Sequence, residues 1–183
     1  MVENITFIFN SKVALDMLLY NASKSEQFRK SRKTSRFIFI SIILLISLLF
    51  IKFNLLISVC FMALGVISFI VFPQYLGYYY KKHFSKIIKT EDYKNRIDQS
   101  FNISFNNEFI EVKNNHIQAK HNVGNFEYIS ETNEYFFIKL KAGDFLAYPK
   151  EQINDFDTLK TYFKNICTKN KIEYKNEYGW KWK

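Results

Sequence analysis

The pattern of apolar and polar positions separates one long apolar run from a region of short alternating segments. Between residues 37 and 80 the only charged residue is Lys52. A single helix over residues 37–72 would measure roughly 54 Å at about 1.5 Å per residue, whereas the hydrocarbon core of a bilayer is about 30 Å thick. We therefore expect a transmembrane hairpin over 37–80, with spans at about 37–52 and 54–73 and a turn at Lys52-Phe53-Asn54.

The segments that flank this hairpin have weaker patterns. Residues 3–9 alternate and predict a short strand, and Asn10 or Ser11 would cap the amphipathic helix that follows. We assign residues 1–36 to this strand and to an amphipathic, basic helix. Pro73 is expected to kink the second span. Residues 81–98 are predicted to form a juxtamembrane helical stalk.

From Gln99 the period changes to that of β-strands. Six short strands separated by turn residues predict an antiparallel meander, and Asn154 or Asp155 would open a C-terminal helix. The apolar face of this helix is predicted to contain Ile153, Phe156, Leu159, Phe163 and Ile166. The fold class is thus a membrane α+β protein: a two-helix transmembrane hairpin plus a small antiparallel-sheet domain closed by a C-terminal helix, with a pleckstrin-homology-like outline over residues 99–170.

Residues 125–156, NFEYISETNEYFFIKLKAGDFLAYPKEQINDF, carry a family resemblance. An acidic-aromatic strand, a Glu-Thr turn, an aromatic strand and a Tyr-Pro-Lys stop lead into the last helix. In this segment and in its order of elements the chain resembles the YcxB-like family of bacterial membrane proteins. The family pattern usually has a Trp near Tyr128, where this chain has Tyr. The resemblance implies two adjacent spans and a pleckstrin-homology-like domain, and it implies no catalytic residue.

Charge placement predicts the orientation of the hairpin. Residues 24–36 carry six Lys or Arg against one Glu, and residues 81–89 carry four Lys without an acid; together these segments account for the whole net charge of +9. Because basic flanks stay on the cytoplasmic side, both termini are predicted to be cytoplasmic, in a multi-pass protein of the cytoplasmic (inner) membrane. The predicted membrane-interface residues, which would contact anionic headgroups, are Arg29, Lys30, Arg32, Lys33, Arg36, Tyr78, Tyr79, Tyr80, Lys81, Lys82 and Lys86.

An aromatic and basic tail forms residues 171–183. It holds both tryptophans of the chain, and its aromatic side chains alternate with lysines. One interpretation is a contact with the cytoplasmic leaflet or a partner; the other is that the tail packs on the domain or adds an edge strand. The candidate interaction residues are Tyr174, Tyr178, Trp180 and Trp182.

The sequence offers little for catalysis or metal binding. We predict no cofactor, no metal site and no catalytic residues, since no nucleotide, nucleophile or metalloprotease motif occurs. His83, His116 and His121 are expected to be surface or structural, and Glu127, Glu131 and Glu134 to be solvated charges. The two cysteines are expected to be reduced. Nucleic-acid binding is not expected, because the surplus charge lies where membrane topology explains it.

These patterns lead to a functional hypothesis without a named ligand. We expect a membrane-anchored, non-enzymatic cytoplasmic binding module that contacts the bilayer and an unidentified protein or lipid. The alternatives are an immunity or defence protein that neutralises a membrane-acting toxin, and an accessory subunit of a membrane complex. A hairpin buried in a soluble core is disfavoured, because the remaining chain is too small to cover it.

Overall fold

The computed structural model describes residues 4–114 and 117–182. It divides into two compact units, which are described separately. The sheet unit comprises the described residues before Leu19 together with Ile87–Lys181, and the helix unit comprises Leu19–Lys86 with Trp182.

The helix unit contains two long helices, α2 (Glu26–Phe50) and α3 (Leu55–Ile87), which follow α1 (Ser11–Lys24). Both long helices are long and apolar enough to cross a membrane, and only 6% and 11% of their most apolar stretches are buried. Most side chains in these stretches therefore lie on the surface, whereas those of a helix in a soluble core would be buried.

Local capping explains where these helices begin. The Asn10 side chain accepts a hydrogen bond from the Val13 N–H at 2.9 Å, and the Ser25 hydroxyl accepts one from Phe28. Asn54 follows the turn and accepts from the N–H groups of Leu56 and Ile57 at 3.0 and 3.2 Å. The expected turn between two apolar helices is thus confirmed.

The helix boundaries differ from the predicted spans. α2 starts eleven residues before position 37, so the basic segment and the apolar segment form one continuous helix. α3 runs without a break through Pro73 and continues to Ile87. Only part of the predicted stalk 81–98 is therefore a continuation of this helix; it also includes the short helix α4 (Glu91–Lys94).

The sheet unit contains two four-stranded sheets rather than one continuous meander. The first has the order β1-β2-β3-β4 and is antiparallel throughout. The second has the order β7-β6-β5-β8, and its β5–β8 pair is parallel. The strands are β1 (Ile5–Phe9), β2 (Gln99–Phe105), β3 (Phe109–Lys113), β4 (Gln118–Asn122), β5 (Phe126–Glu131), β6 (Tyr135–Leu140), β7 (Phe145–Pro149) and β8 (Glu173–Asn176).

A 3₁₀ turn at Val123–Asn125 separates the two sheets. Asp155 caps α5 (Phe156–Asn170) by accepting from Thr158 at 3.0 Å, as expected. The small, mainly antiparallel sheets and the C-terminal helix therefore agree with the outline of the predicted fold class. Asn115 and His116 lie outside the described residues.

Two predicted segment boundaries do not match the units. β1 pairs with β2 from Ile5↔Ile103 to Phe9↔Gln99, so the N-terminal strand belongs to the sheet unit instead of a separate segment 1–36. β8 pairs with β5, so part of the predicted tail is an edge strand of the domain. Pairing between distant segments leaves no local pattern in the sequence, so the partners of these two strands could not be predicted.

The core of the sheet unit lies around one face of α5. Leu159 and Phe163 are fully buried, and they belong to one cluster with Ile103, Ile129 and Phe136 from the two sheets. The rings of Phe105, Phe136, Tyr148 and Tyr162 surround Phe163 at centroid distances of 5.3–6.2 Å. Phe156, which was predicted to lie on this apolar face, is instead 41% exposed, because it occupies the first position of the helix.

We expect Phe163→Ala to lower the free energy of unfolding by about 3–5 kcal/mol, because it leaves a cavity where two sheets and a helix meet. Phe156→Ala is the matched control, and we expect less than about 1 kcal/mol from this exposed ring. Urea unfolding of the full chain in detergent, followed by near-UV circular dichroism, measures both. Equal effects of the two substitutions would contradict the assignment of the core.

Candidate functional site

The first half of α2 carries its basic residues on one face. Positions 29, 32, 33 and 36 follow the i, i+3, i+4, i+7 spacing that places side chains above one another on a helix. Together with two apolar residues of α3 they line a pocket of about 230 Å³, here called the basic pocket. Its lining consists of Arg29, Arg32, Lys33, Arg36, Pro73 and Leu76.

The position of Arg36 is explained by Pro73. Proline has no backbone N–H, so the carbonyl four residues earlier, that of Phe69, loses its helical hydrogen bond. The Nη2 atom of Arg36 donates to this carbonyl oxygen at 2.6 Å, and the guanidinium lies 3.6 Å from the centre of the Phe69 ring. Arg36 thus replaces the donor that Pro73 removes, and this replacement accounts for a proline inside an unbroken helix.

Trp182 packs on the same helix unit. Its indole N–H donates to the carbonyl oxygen of Gly77 at 2.8 Å. The Arg32 guanidinium lies 5.2 Å from the centre of its ring, and the Tyr80 ring contacts it edge-on at 6.4 Å. Trp182 therefore holds one of the basic side chains by a cation–π contact.

The other predicted membrane-interface residues are spread around the helix unit. Tyr78 and Tyr79 are 66% and 51% exposed, as expected of residues that face outward. Tyr80 differs, since it is only partly exposed and packs against Phe28, Phe84 and Trp182. The remaining basic residues are exposed and do not line the basic pocket: Lys30, Lys81, Lys82 and Lys86.

Polar and small residues join α2 and α3 nearer the turn. The buried Ser47 hydroxyl donates to the backbone carbonyl of Ser58 at 2.8 Å, and the two hydroxyls lie 3.2 Å apart. Gly65 is buried, and a Cβ at this position would lie in ordinary contact distance of Ile43. Small and hydroxyl residues at the helix–helix contact are typical of membrane helices.

A buried charge cluster lies in the sheet unit. Glu131 is only 1% exposed, although the sequence suggested a solvated carboxylate. Its carboxylate accepts from the ammonium groups of Lys150 at 2.7 Å and Lys160 at 3.1 Å, and from the Tyr174 hydroxyl at 2.7 Å. Glu131 is buried because β5 lies between β6 and β8, and the sequence did not indicate which strand a tail strand would pair with.

The protonation state of Glu131 follows from these contacts. Burial alone would raise the pKa of this carboxyl, but hydrogen bonds from Lys150, Tyr174, Tyr178 and Lys160 outweigh burial and lower the pKa to about 2. The carboxylate is therefore charged at neutral pH. Both carboxylate oxygens already have partners within the protein, so the contacts of the cluster stabilise the fold of the sheet unit.

The cluster holds the predicted interaction tail on the sheet unit. Tyr174 lies in β8, and the Tyr178 ring lies 5.5 and 5.6 Å from the ammonium groups of Lys150 and Lys160. Trp180 contacts the Phe137 ring edge-on at 6.2 Å. The described part of the tail therefore packs on the protein, which agrees with the edge-strand interpretation.

Two cavities of the sheet unit are further candidate sites. A groove of about 790 Å³ lies between the β2–β3 turn and the first half of α5, and its lining includes Asn107, Thr158 and Tyr162. An apolar cavity of about 260 Å³ is lined mainly by aromatic and aliphatic side chains, with Arg96 and His121 as its basic residues. Burial lowers the pKa of His121 in spite of the nearby Asp144, so this imidazole favours its neutral form.

Among the described residues, no three His, Cys, Asp or Glu side chains are grouped as metal ligands would be. His83 stacks on Tyr79, and His116 lies outside the described residues. Cys60 and Cys167 are free thiols, and burial raises the pKa of Cys167 to about 11, which keeps it protonated.

No known protein family, curated protein or solved structure matches this chain.

We expect Arg36→Met to destabilise the helix unit by about 1–3 kcal/mol, because the Phe69 carbonyl is left without a donor. In a Pro73→Ala background the restored N–H pairs with this carbonyl, so the effect of Arg36→Met should be at least about 1 kcal/mol smaller. Unfolding in increasing dodecyl sulfate, followed by far-UV circular dichroism, measures all four proteins of this cycle. Additive effects would show that Arg36 does not replace the missing donor.

We expect Glu131→Gln to lower the free energy of unfolding at pH 7 by about 3 kcal/mol, from a pKa that falls from 4.5 to about 2 on folding. The folded pKa is depressed, so this stabilisation is present above pH 4.5 and is lost as the pH falls towards 2. Urea titrations of parent and variant across this range should converge at the acidic end. The control Glu127→Gln changes an exposed carboxylate on the same strand, and its free energy of unfolding should differ little from that of the parent at every pH. A difference in unfolding free energy between the parent and Glu131→Gln that does not change with pH would contradict the charge cluster.

Proposed function

We propose that the chain is a membrane-anchored binding module, in which α2 and α3 form a transmembrane hairpin. The observation that carries this proposal is the apolar surface that both helices expose. Leu45, Leu49, Leu56 and Ile70 are each 60% exposed or more, and water would disfavour so large a surface. A bilayer core covers such a surface, and helices satisfy their backbone hydrogen bonds within it.

The polar contacts of the hairpin support the same proposal. Ser47 and Ser58 face each other between the helices, and the Phe69 carbonyl is paired by Arg36. Polar groups directed inward and apolar groups directed outward are the arrangement expected in lipid. The same arrangement argues against a hairpin that is covered by a soluble core.

The distribution of charge supports cytoplasmic ends for both helices. The basic residues lie before Phe37 on α2 and after Tyr80 on α3, whereas the turn carries Lys52 alone. Positive flanks are retained on the cytoplasmic side, so we place both termini and the sheet unit in the cytoplasm of a bacterial cell, at its inner membrane.

We further propose that the sheet unit is a pleckstrin-homology-like domain and that the chain is of YcxB-like type. Two small sheets and a C-terminal helix that contributes Phe163 to their shared core support the first proposal. The order of strand β1, two apolar helices, sheets and final helix supports the second. A domain of this kind suits a binding role, but the fold alone does not identify the ligand.

The module is proposed to act by binding rather than by catalysis. The charged side chains of the Glu131 cluster are paired with one another, and the groove beside α5 offers concave surface for a partner. An anchor holds such a surface close to the membrane and raises its effective concentration towards other membrane components. This property needs no cofactor.

A labelling experiment tests the anchor and its orientation. In a Cys60→Ser, Cys167→Ala background, we expect a membrane-impermeant maleimide added to intact spheroplasts to label Phe53→Cys in the turn. Asn107→Cys in the β2–β3 turn should react only after lysis, because the bilayer shields the cytoplasmic domain. Labelling of Asn107→Cys from outside would reverse the topology, and release of the protein from membranes by alkaline carbonate would contradict the anchor.

A further inference from the structure

The basic pocket places several positive charges close together on one helix face. Like charges spaced three or four residues apart on a helix repel each other and destabilise it. None of Arg29, Lys33 and Arg36 forms an ion pair with another described residue. An anion bound among them would relieve this repulsion.

The donors in the pocket suit a phosphate group. Guanidinium groups bind phosphate oxygens through paired N–H donors, and a lysine ammonium adds a point charge. Arg36 is held by its Nη2 bond to Phe69, while its Nε is buried without a hydrogen-bond partner. The walls formed by Pro73 and Leu76 are apolar, and they strengthen electrostatic attraction by excluding water.

The location of the pocket identifies a lipid as the source of that phosphate. Arg36 directly precedes Phe37, which is 64% exposed and begins the apolar surface of α2. Pro73 likewise directly follows the apolar stretch of α3. A phosphate held here would lie at the boundary of the hydrocarbon layer, and its acyl chains could follow the exposed apolar side chains. Trp182, beside Arg32, is a residue typical of this depth.

We propose that the basic pocket binds the phosphate of one anionic phospholipid headgroup. This inference depends on the proposed membrane anchor, because only a hairpin inserted in the bilayer would bring the pocket to the headgroup level. Such binding differs from general attraction to a negative membrane surface. To that attraction Lys30 and Lys86 would contribute as much as Arg29 and Lys33 do.

The test compares two double variants with the same loss of charge. Arg29→Gln/Lys33→Gln removes two exposed pocket residues and keeps the Arg36 bond to Phe69, and Lys30→Gln/Lys86→Gln removes two exposed residues outside the pocket. Full-length proteins in mild detergent are titrated with palmitoyl-oleoyl phosphatidylglycerol or with the corresponding phosphatidylcholine. Native mass spectrometry counts the lipid retained by each protein.

We expect the parent and the Lys30→Gln/Lys86→Gln control to retain one phosphatidylglycerol in preference to phosphatidylcholine. Retention by Arg29→Gln/Lys33→Gln should be weaker by roughly tenfold or more, as expected when two charge-assisted contacts are lost. The single variants Arg29→Gln and Lys33→Gln should each show part of this loss. They provide the same comparison if the double variant elutes as an aggregate on size exclusion.

Different results would overturn different claims. If the parent stays in carbonate-washed membranes, equal weakening of phosphatidylglycerol retention in the two double variants contradicts binding at the basic pocket. No weakening in either double variant contradicts it as well. Inorganic phosphate that displaces the lipid at equal concentration identifies a soluble phosphate ligand and overturns the lipid assignment. A parent that carbonate releases from membranes contradicts the proposed function itself, and the headgroup site with it.

Discussion

A backbone carbonyl that faces hydrocarbon needs a donor from the protein, because the bilayer core contains no water to supply one. In the proposed transmembrane hairpin, this constraint explains how the helix unit is built. Pro73 removes the helical donor of the Phe69 carbonyl, and Arg36 supplies another from the neighbouring helix. The same bond fixes the position of α2 against α3 near the basic end of the proposed hairpin. Ser47 and Ser58 make the corresponding polar contact nearer the turn.

The sheet unit meets a related constraint with charges. Glu131 is buried on β5, and a buried carboxylate is strongly unfavourable unless it is paired and hydrogen-bonded. Its partners come from three separate segments: the turn after β7, helix α5 and strand β8. The cluster therefore couples the C-terminal strand to the rest of the sheet. It accounts for Tyr174 and Tyr178 of the tail without requiring that these two residues contact lipid.

Local patterns predicted the elements better than their partners. The two apolar helices, the turn at Asn54, the caps at Asn10 and Asp155 and the strands between Gln99 and Pro149 follow from periodicity and turn chemistry, which involve near neighbours in sequence. The pairing of β1 with β2 and of β8 with β5 joins segments far apart in the chain. The burial of Glu131 could not be predicted, since it depends on the pairing of β8 with β5 and not on any local pattern.

The basic pocket shows the same division between local rule and tertiary contact. The i, i+3, i+4, i+7 spacing of its cations is visible in the sequence, and the proline rule identifies Phe69 as the carbonyl that Pro73 frees. Which cation reaches that carbonyl depends on the rotation and register of α2 against α3, which the sequence does not reveal. Once Arg36 is engaged there, the remaining cations of the face are held beside Pro73 and Leu76. The bond that satisfies the backbone is therefore also the one that shapes the pocket, so the integrity of the hairpin and the proposed headgroup site depend on the same guanidinium.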